Sequence, residues 1–385
     1  MTPVPLHWLA DGPDGAPILV LLSSVGSSTE MWAPCVGPLA EQFRVVRVDA
    51  RGHGGSPASP PGTACSLADL GRDVLAALDR LGAARVHLAG LSLGGMTAMW
   101  LAVHHPERIG RLALLCTSAH LPPAQGWTDR AATVRADGMG AIADAVLARW
   151  ITPELAARDP ELVARLRAML TATDADSYAQ CCEAIGAMDL RADLGRIAAP
   201  TLVIGGAQDP STPPEHQRLI AAGVPGARLE LLDPAAHLAT MEQPAAVSAL
   251  LLDHLGARGT LATGFATRRA VLGEDHVDAA VAGTNAFTAP FQELVSRYAW
   301  GEVWSRPGLA RRDRSIATLA ALVALGAEHE LAMHVRAALR NGLTPTEIGE
   351  VLLHTAVYAG MPRANRAFAV ARQVIDGPRE AAGAG

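Results

Sequence analysis

Gly90-Leu91-Ser92-Leu93-Gly94 constrains this chain more than any other stretch. The apolar run at residues 85–89 reads as a short buried strand, and residues 95–102 read as a helix. A G-x-S-x-G at a strand-to-helix junction makes a turn too tight for side chains on either side of the serine. The serine takes a strained backbone that pushes its Oγ clear. An ordinary Gly/Ser turn is the bland alternative, and the flanking strand and helix disfavour it.

At 385 residues the chain is long for one core, so two domains are expected. Half the residues are apolar, only 4% are aromatic, and the net charge is −6. Nothing in that balance points to nucleic acid or a membrane surface. The Met-Thr-Pro-Val-Pro start lacks the basic end and apolar stretch of a signal peptide, and no apolar run is long enough to span a bilayer. The five cysteines, Cys35, Cys65, Cys116, Cys181 and Cys182, are odd in number and lack metal-ligand spacing. A reducing cytoplasm fits them.

Buried-strand runs at residues 18–22, 43–49, 85–89, 112–116, 200–206 and 227–232 alternate with helical periodicity, as at 67–81. This is the pattern of a parallel sheet covered on both faces. From about 120 to 192 strand signals stop and short amphipathic helices take over, where a lid would sit. Domain one is expected to span 1–256. Residues 257–264, small and aperiodic, read as a linker, 265–376 as an all-helical domain, and 377–385 as a disordered tail.

A nucleophilic serine needs a base, and the base an orienter. Asp209 falls just past one strand end and His237 just past the next, so Ser92, Asp209 and His237 form a triad in the order this elbow requires. Asp233 is the less favoured orienter, lying close to His237 in sequence. The oxyanion hole is assigned to the N–H groups of Leu93 and Val25. His53, Asp49 and Arg51 read as a structural turn. Trp127 and Trp150 are lid packing or pocket lining, and Arg130 and Arg149 are solvated charges unless the substrate is an anion.

These features together make residues 1–255 resemble the 3-oxoadipate enol-lactone hydrolases of the α/β-hydrolase family. The resemblance rests on residues 23–28 before Met31-Trp32, on the elbow with Gly95-Met96, on Trp127-Thr128-Asp129-Arg130 and Arg149-Trp150, and on 208–216. Ser23-Ser24 stands where many relatives have His-Gly, which leaves main-chain donors undisturbed. The resemblance implies an α/β-hydrolase fold with a helical lid, and a carboxylated lactone as substrate. General esterase, haloperoxidase and dehalogenase are the neighbouring readings, and a dehalogenase would want aspartate at Ser92.

In the helical domain three features stand out: the aromatic cluster at 298–304, Arg311-Arg312-Asp313-Arg314, and Glu330 with His334 at i, i+4 spacing. That pair is a surface pair, half of a metal site lacking its other ligands, or an acid–base pair. Residues 330–344 and 350–362 are similar to 4-carboxymuconolactone decarboxylases of the alkylhydroperoxidase-like helical family. Peroxidase relatives carry C-x-x-C before the histidine, whereas Ala327 and Glu330 stand here, and the domain has no cysteine. Thiol peroxidase chemistry is thereby excluded. The resemblance implies His334 as electrophile or proton donor, Glu330 orienting it or setting its pKa, Arg312 or Arg314 on a carboxylate, no metal or organic cofactor, and homo-oligomers through this domain. Jointly the two resemblances imply a bifunctional enzyme of protocatechuate breakdown by the β-ketoadipate route. The competing reading is a monofunctional lactonase or carboxylesterase whose helical domain only drives assembly.

Overall fold

Apolar runs with no polar alternation must be covered on both faces, and the sheet is built from such runs. In the computed structural model, which describes residues 2–59, 62–256, 259–306 and 308–377, seven strands form one sheet. They are β1 Trp8–Asp11, β2 Ile18–Leu22, β3 Arg44–Val48, β4 Val86–Leu91, β5 Ile109–Leu115, β6 Thr201–Gly206 and β7 Arg228–Leu232. The order is β1-β3-β2-β4-β5-β6-β7, with only the edge strand β1 antiparallel to its neighbour. Leu19–Leu21 of β2 and Leu112–Leu115 of β5 are wholly buried.

Helix Leu67–Arg80 starts at a capping box, in which Ser66 Oγ accepts from Asp69 N and the Asp69 carboxylate accepts from Ser66 N. The lid lies between β5 and β6 and includes helices Ala124–Asp137, Ala143–Trp150, Pro160–Thr171 and Ala175–Ala187. Its first and last helices pack against each other.

The chain divides between Leu255 and Gly256 into two compact units. In the second, helices Arg311–Leu325, Glu328–Arg340, Pro345–Ala359 and Met361–Asp376 enclose Leu319, Val335, Ile348 and Leu352. A smaller core joins Val271, Val277 and Trp300. The expected linker needs correction, because a helix, Leu261–Leu272, starts inside it. Thr260 caps this helix by accepting from Thr263 N at 3.1 Å. Gly264 is there for close packing: a Cβ on it would lie 2.0 Å from the Ser296 carbonyl oxygen of the π-helical stretch Val295–Trp304. Residues 257–258 and 378–385, most of the expected tail, lie outside the described residues.

Candidate active site

The elbow between β4 and helix Leu93–His104 holds Ser92 at φ 56°, ψ −117°, a strained conformation for a residue with a side chain. The flanking glycines answer to contact. A Cβ on Gly94 would sit 2.4 Å from the Leu22 carbonyl oxygen, and one on Gly90 2.2 Å from that of Gly94. Gly94 is therefore pressed against the end of β2, and Ser92 stands at the carboxyl end of the central strand β4, where open α/β sheets place their ligands.

His237 lies on the loop after β7, and its Nδ1 donates to Asp209 Oδ2 at 2.9 Å. Asp209, after β6, is buried, and its carboxylate also accepts from Ser211 N, Thr212 N and Thr212 Oγ1 at 2.8, 3.1 and 2.7 Å. Burial works to raise its pKa, but His237 and the Thr212 donors outweigh burial and hold the carboxyl below its ordinary value. Ser92 lines the same cleft as His237 without a hydrogen bond between them. Such contacts commonly tighten only when substrate is bound. Asp233 is not the partner of His237.

Val25 lines this cleft on the loop after β2. Its N–H and that of Leu93 find no acceptor among the described residues. The Val25 loop is held from behind by His53, which is fully buried. His53 Nδ1 donates to Arg51 O at 2.8 Å, so its Nε2 accepts from Gly26 N at 2.9 Å. Burial lowers the His53 pKa and keeps the ring neutral, as this pairing needs.

Trp127, Arg130, Arg149 and Trp150 all line the cleft. The Arg130 guanidinium lies 4.8 Å from the Trp127 ring centroid. Neither arginine pairs with a carboxylate among the described residues. Sequence reasoning missed Glu242. Its carboxylate accepts from Thr152 N and Oγ1, at 2.8 and 2.7 Å, and from Ala236 N. It thus ties the end of a lid helix to the loop bearing His237. Leu238 N adds a bond to Trp150 O at 2.7 Å.

The second unit has a cavity of its own, open to solvent. His334 lies there, nearly parallel to Trp300 and Trp304, with ring centroids 6.5 and 6.4 Å away. Burial, aided by His276 and opposed by Glu330, lowers its pKa, so the imidazole is neutral near pH 7. Glu330 lines the cavity but is exposed and makes no hydrogen bond to His334, so it does not orient the ring as expected. Arg312 and Arg314 also need correction, since neither lines this cavity. Arg312 pairs with Glu347, and Arg314 donates to the carbonyls of Leu309 and Arg306 at 3.2 and 2.9 Å. The arginines that do line it are Arg268 and Arg336. The aromatic stretch 298–304 was the legible signal for this cavity; Arg268 fell within the expected helical domain but was not singled out.

An α/β hydrolase fold model matches residues 17–244, and a carboxymuconolactone decarboxylase family model matches 289–373. The chain belongs to the α/β-hydrolase family and carries in its second unit a member of the carboxymuconolactone decarboxylase family. It is 37% identical over 243 residues to 3-oxoadipate enol-lactonase 2 of Acinetobacter baylyi, covering 63% of this chain and 90% of that protein. It is 50% identical over 112 residues to the 4-carboxymuconolactone decarboxylase of the same organism, covering 29% of this chain and 84% of that protein. The crystal structure of the enol-lactonase from Burkholderia xenovorans LB400 superposes with a TM-score of 0.63 at 41% identity, covering 65% of this chain and 96% of that one.

Proposed function

We propose that this chain catalyses two consecutive reactions of the β-ketoadipate route: loss of CO2 from 4-carboxymuconolactone, then hydrolysis of the resulting 3-oxoadipate enol-lactone. The observation that carries this is the pairing, in one polypeptide, of units whose relatives act on consecutive lactones. In the second unit the bond to the departing carboxylate breaks, and its electron pair passes through the ring alkene to the lactone carbonyl. The neutral His334 imidazole suits N–H donation to that oxygen, and carbon is then protonated. Glu330, on the same cavity wall, is the nearby proton carrier.

In the first unit Ser92 attacks the enol-lactone carbonyl while His237 takes its proton, and Asp209 steadies the imidazolium that forms. The N–H groups of Val25 and Leu93 receive the oxyanion. The leaving enolate becomes a ketone, and His237 activates water to release 3-oxoadipate. Arg130 and Arg149, without acidic partners among the described residues, hold the product's carboxylate end.

The test is a pair of full-length variants. Ser92→Ala should release CO2 normally and accumulate enol-lactone. His334→Ala should hydrolyse enol-lactone normally and release no CO2. Absence of CO2 release by the unaltered protein would overturn the bifunctional reading and leave the second unit an assembly module. That alternative draws on exposed Phe287, Val357 and Tyr358, which support homo-oligomers in either case. No helix among the described residues is long and apolar enough to cross a membrane. The five buried, unpaired cysteines support a cytoplasmic setting.

A further inference from the structure

Arg268 is a buried charge with no acidic partner among the described residues. It sits on helix Leu261–Leu272, is 8% exposed, and lines the cavity that holds His334. Its Nη1 donates to Gln292 Oε1 at 3.0 Å, while its Nε is buried without a partner. No carboxylate pairs with it among the described residues. Arg51, buried in the first unit, shows the usual arrangement: its Nε donates to Asp73 Oδ2 at 2.7 Å. Burying a guanidinium without an anion is costly, and burial alone pulls the Arg268 pKa below its ordinary value. The cavity wall repeats the sign of that charge at Arg336, while burial and the neighbouring arginines lower the pKa of His276, which also lines it. Glu330 is the one carboxylate among the lining residues. Arg268 also lies ahead of residues 289–373, the segment matched to the family.

We propose that Arg268 is the carboxylate-binding residue of this cavity, and that it holds the carboxylate the substrate retains rather than the one it loses. The proposal rests on the decarboxylase reading above. The choice between carboxylates follows from the electron flow. The departing group leaves as neutral CO2, and its negative charge ends on the lactone carbonyl oxygen. A buried guanidinium on the departing carboxylate would bind the ground state more strongly than the transition state and would slow the reaction. The carboxymethyl carboxylate keeps its charge throughout, so pairing there costs nothing in the chemical step. It anchors one end of the molecule while His334 serves the carbonyl at the other. This pairing supplies uniform binding, whose removal appears in KM.

The experiment compares the full-length protein with Arg268→Gln and Arg268→Lys, using 4-carboxymuconolactone and an analogue bearing methyl in place of the carboxymethyl group. With the natural substrate, Gln should raise KM about 10- to 100-fold and leave kcat within about threefold, and Lys should recover part of the loss. With the methyl analogue, all three proteins should show the same kcat/KM. Gln should melt no lower than the unaltered protein, because it removes an uncompensated buried charge. Should Gln fail to fold, the Lys variant carries the comparison through its rise in KM, expected to be about tenfold. An unchanged KM in the variants would overturn the proposal. An equal fall in kcat on both substrates would also overturn it, by placing the guanidinium on the reacting centre. Failure of the decarboxylase reading looks different: the unaltered protein then releases no CO2 from either compound.

Discussion

Glu242 offers a sharp test of how the first unit holds its base. One carboxylate receives three donors from two elements: Thr152 N and Oγ1 at the end of the lid helices, and Ala236 N beside His237. Thr152 and Ala236 are both buried, so their N–H groups have no ready access to water once the acceptor is gone. Glu242→Ala removes three charge-assisted bonds; discounted for this half-buried site to about 1 kcal/mol each, they come to about 3 kcal/mol together. Glu242→Gln is subtler. Its carbonyl oxygen keeps the Thr152 pair, but its amide N–H2 then faces Ala236 N–H, donor against donor. That leaves one buried N–H unmet, about 1–2 kcal/mol. For a unit of this size the Ala variant should lose roughly 6–12 °C in melting temperature and the Gln variant roughly half that. Freeing the loop beneath His237 should also lower enol-lactone kcat/KM, by about 10- to 100-fold for Ala. Calorimetry and lactonase kinetics on the full-length variants check both, with CO2 release as the internal control. An Ala variant within about 0.5 kcal/mol of the unaltered protein and fully active would refute the latch.

Gly94→Ala should cost more than about 3 kcal/mol and yield little soluble protein, because the new Cβ meets the Leu22 carbonyl 2.4 Å away and β2 is pinned between β3 and β4; expression and thermal melts decide it. Asp209→Asn should fold normally, since Asn still accepts from Thr212. It should drop lactonase kcat about a thousand- to ten-thousand-fold, because its amide cannot accept from His237 Nδ1. His254 donates from Nε2 to Leu112 O, and burial lowers its pKa to about 4. The native ring stays neutral while the unfolded one takes a proton below about pH 6.5, so stability is full above that pH and falls as pH drops towards 4. Between pH 7 and 5 the first unit should lose on the order of 1–2 kcal/mol, discounted for partial exposure, with His53 acting in the same direction. Denaturant titrations of the unaltered protein and His254→Gln measure this, and equal slopes in the two would refute the role of His254.

The first unit was legible because its determinants are local. Continuous apolar runs can only be buried strands of a covered sheet, and a serine between glycines at a strand end has one geometry. The triad residues each follow the carboxyl end of a parallel strand, which places them at one end of the sheet. Glu242 was not legible, because nothing in Met241-Glu242-Gln243 reveals that Thr152 and Ala236 converge on it. In the second unit the failure has a single physical root. Gly264 reads as a chain break, yet it lets helix Leu261–Leu272 approach the backbone at Ser296. Reading the first turn of that helix as linker left its packing unseen, and Arg312 and Arg314 were the arginines assigned instead. Their partners, Glu347 and two backbone carbonyls, are contacts of tertiary structure.

The two cavities share a chemical problem, and the charges facing them bear on how the reactions interact. Each has arginines that, among the described residues, pair with no carboxylate, beside tryptophans: Arg130 and Arg149 with Trp127 and Trp150, and Arg268 and Arg336 with Trp300 and Trp304. In the proposed sequence the lactone entering the second unit carries two carboxylates and the one leaving it carries one. The surviving carboxylate is the handle common to both steps. If Arg268 holds that handle, loss of CO2 leaves the strongest binding contact intact, and the enol-lactone departs no more readily than the substrate binds. The enol-lactone should therefore inhibit decarboxylation competitively, with an inhibition constant within about tenfold of the substrate KM. Hydrolysis at Ser92 would relieve that inhibition by consuming the product. Initial CO2 release by Ser92→Ala protein, which cannot clear the enol-lactone, measures the effect directly. Adding Arg268→Gln to that background should weaken the inhibitor and the substrate by the same factor. Uninhibited release at enol-lactone concentrations ten times the substrate KM would show that the two lactones are not held by the same contact.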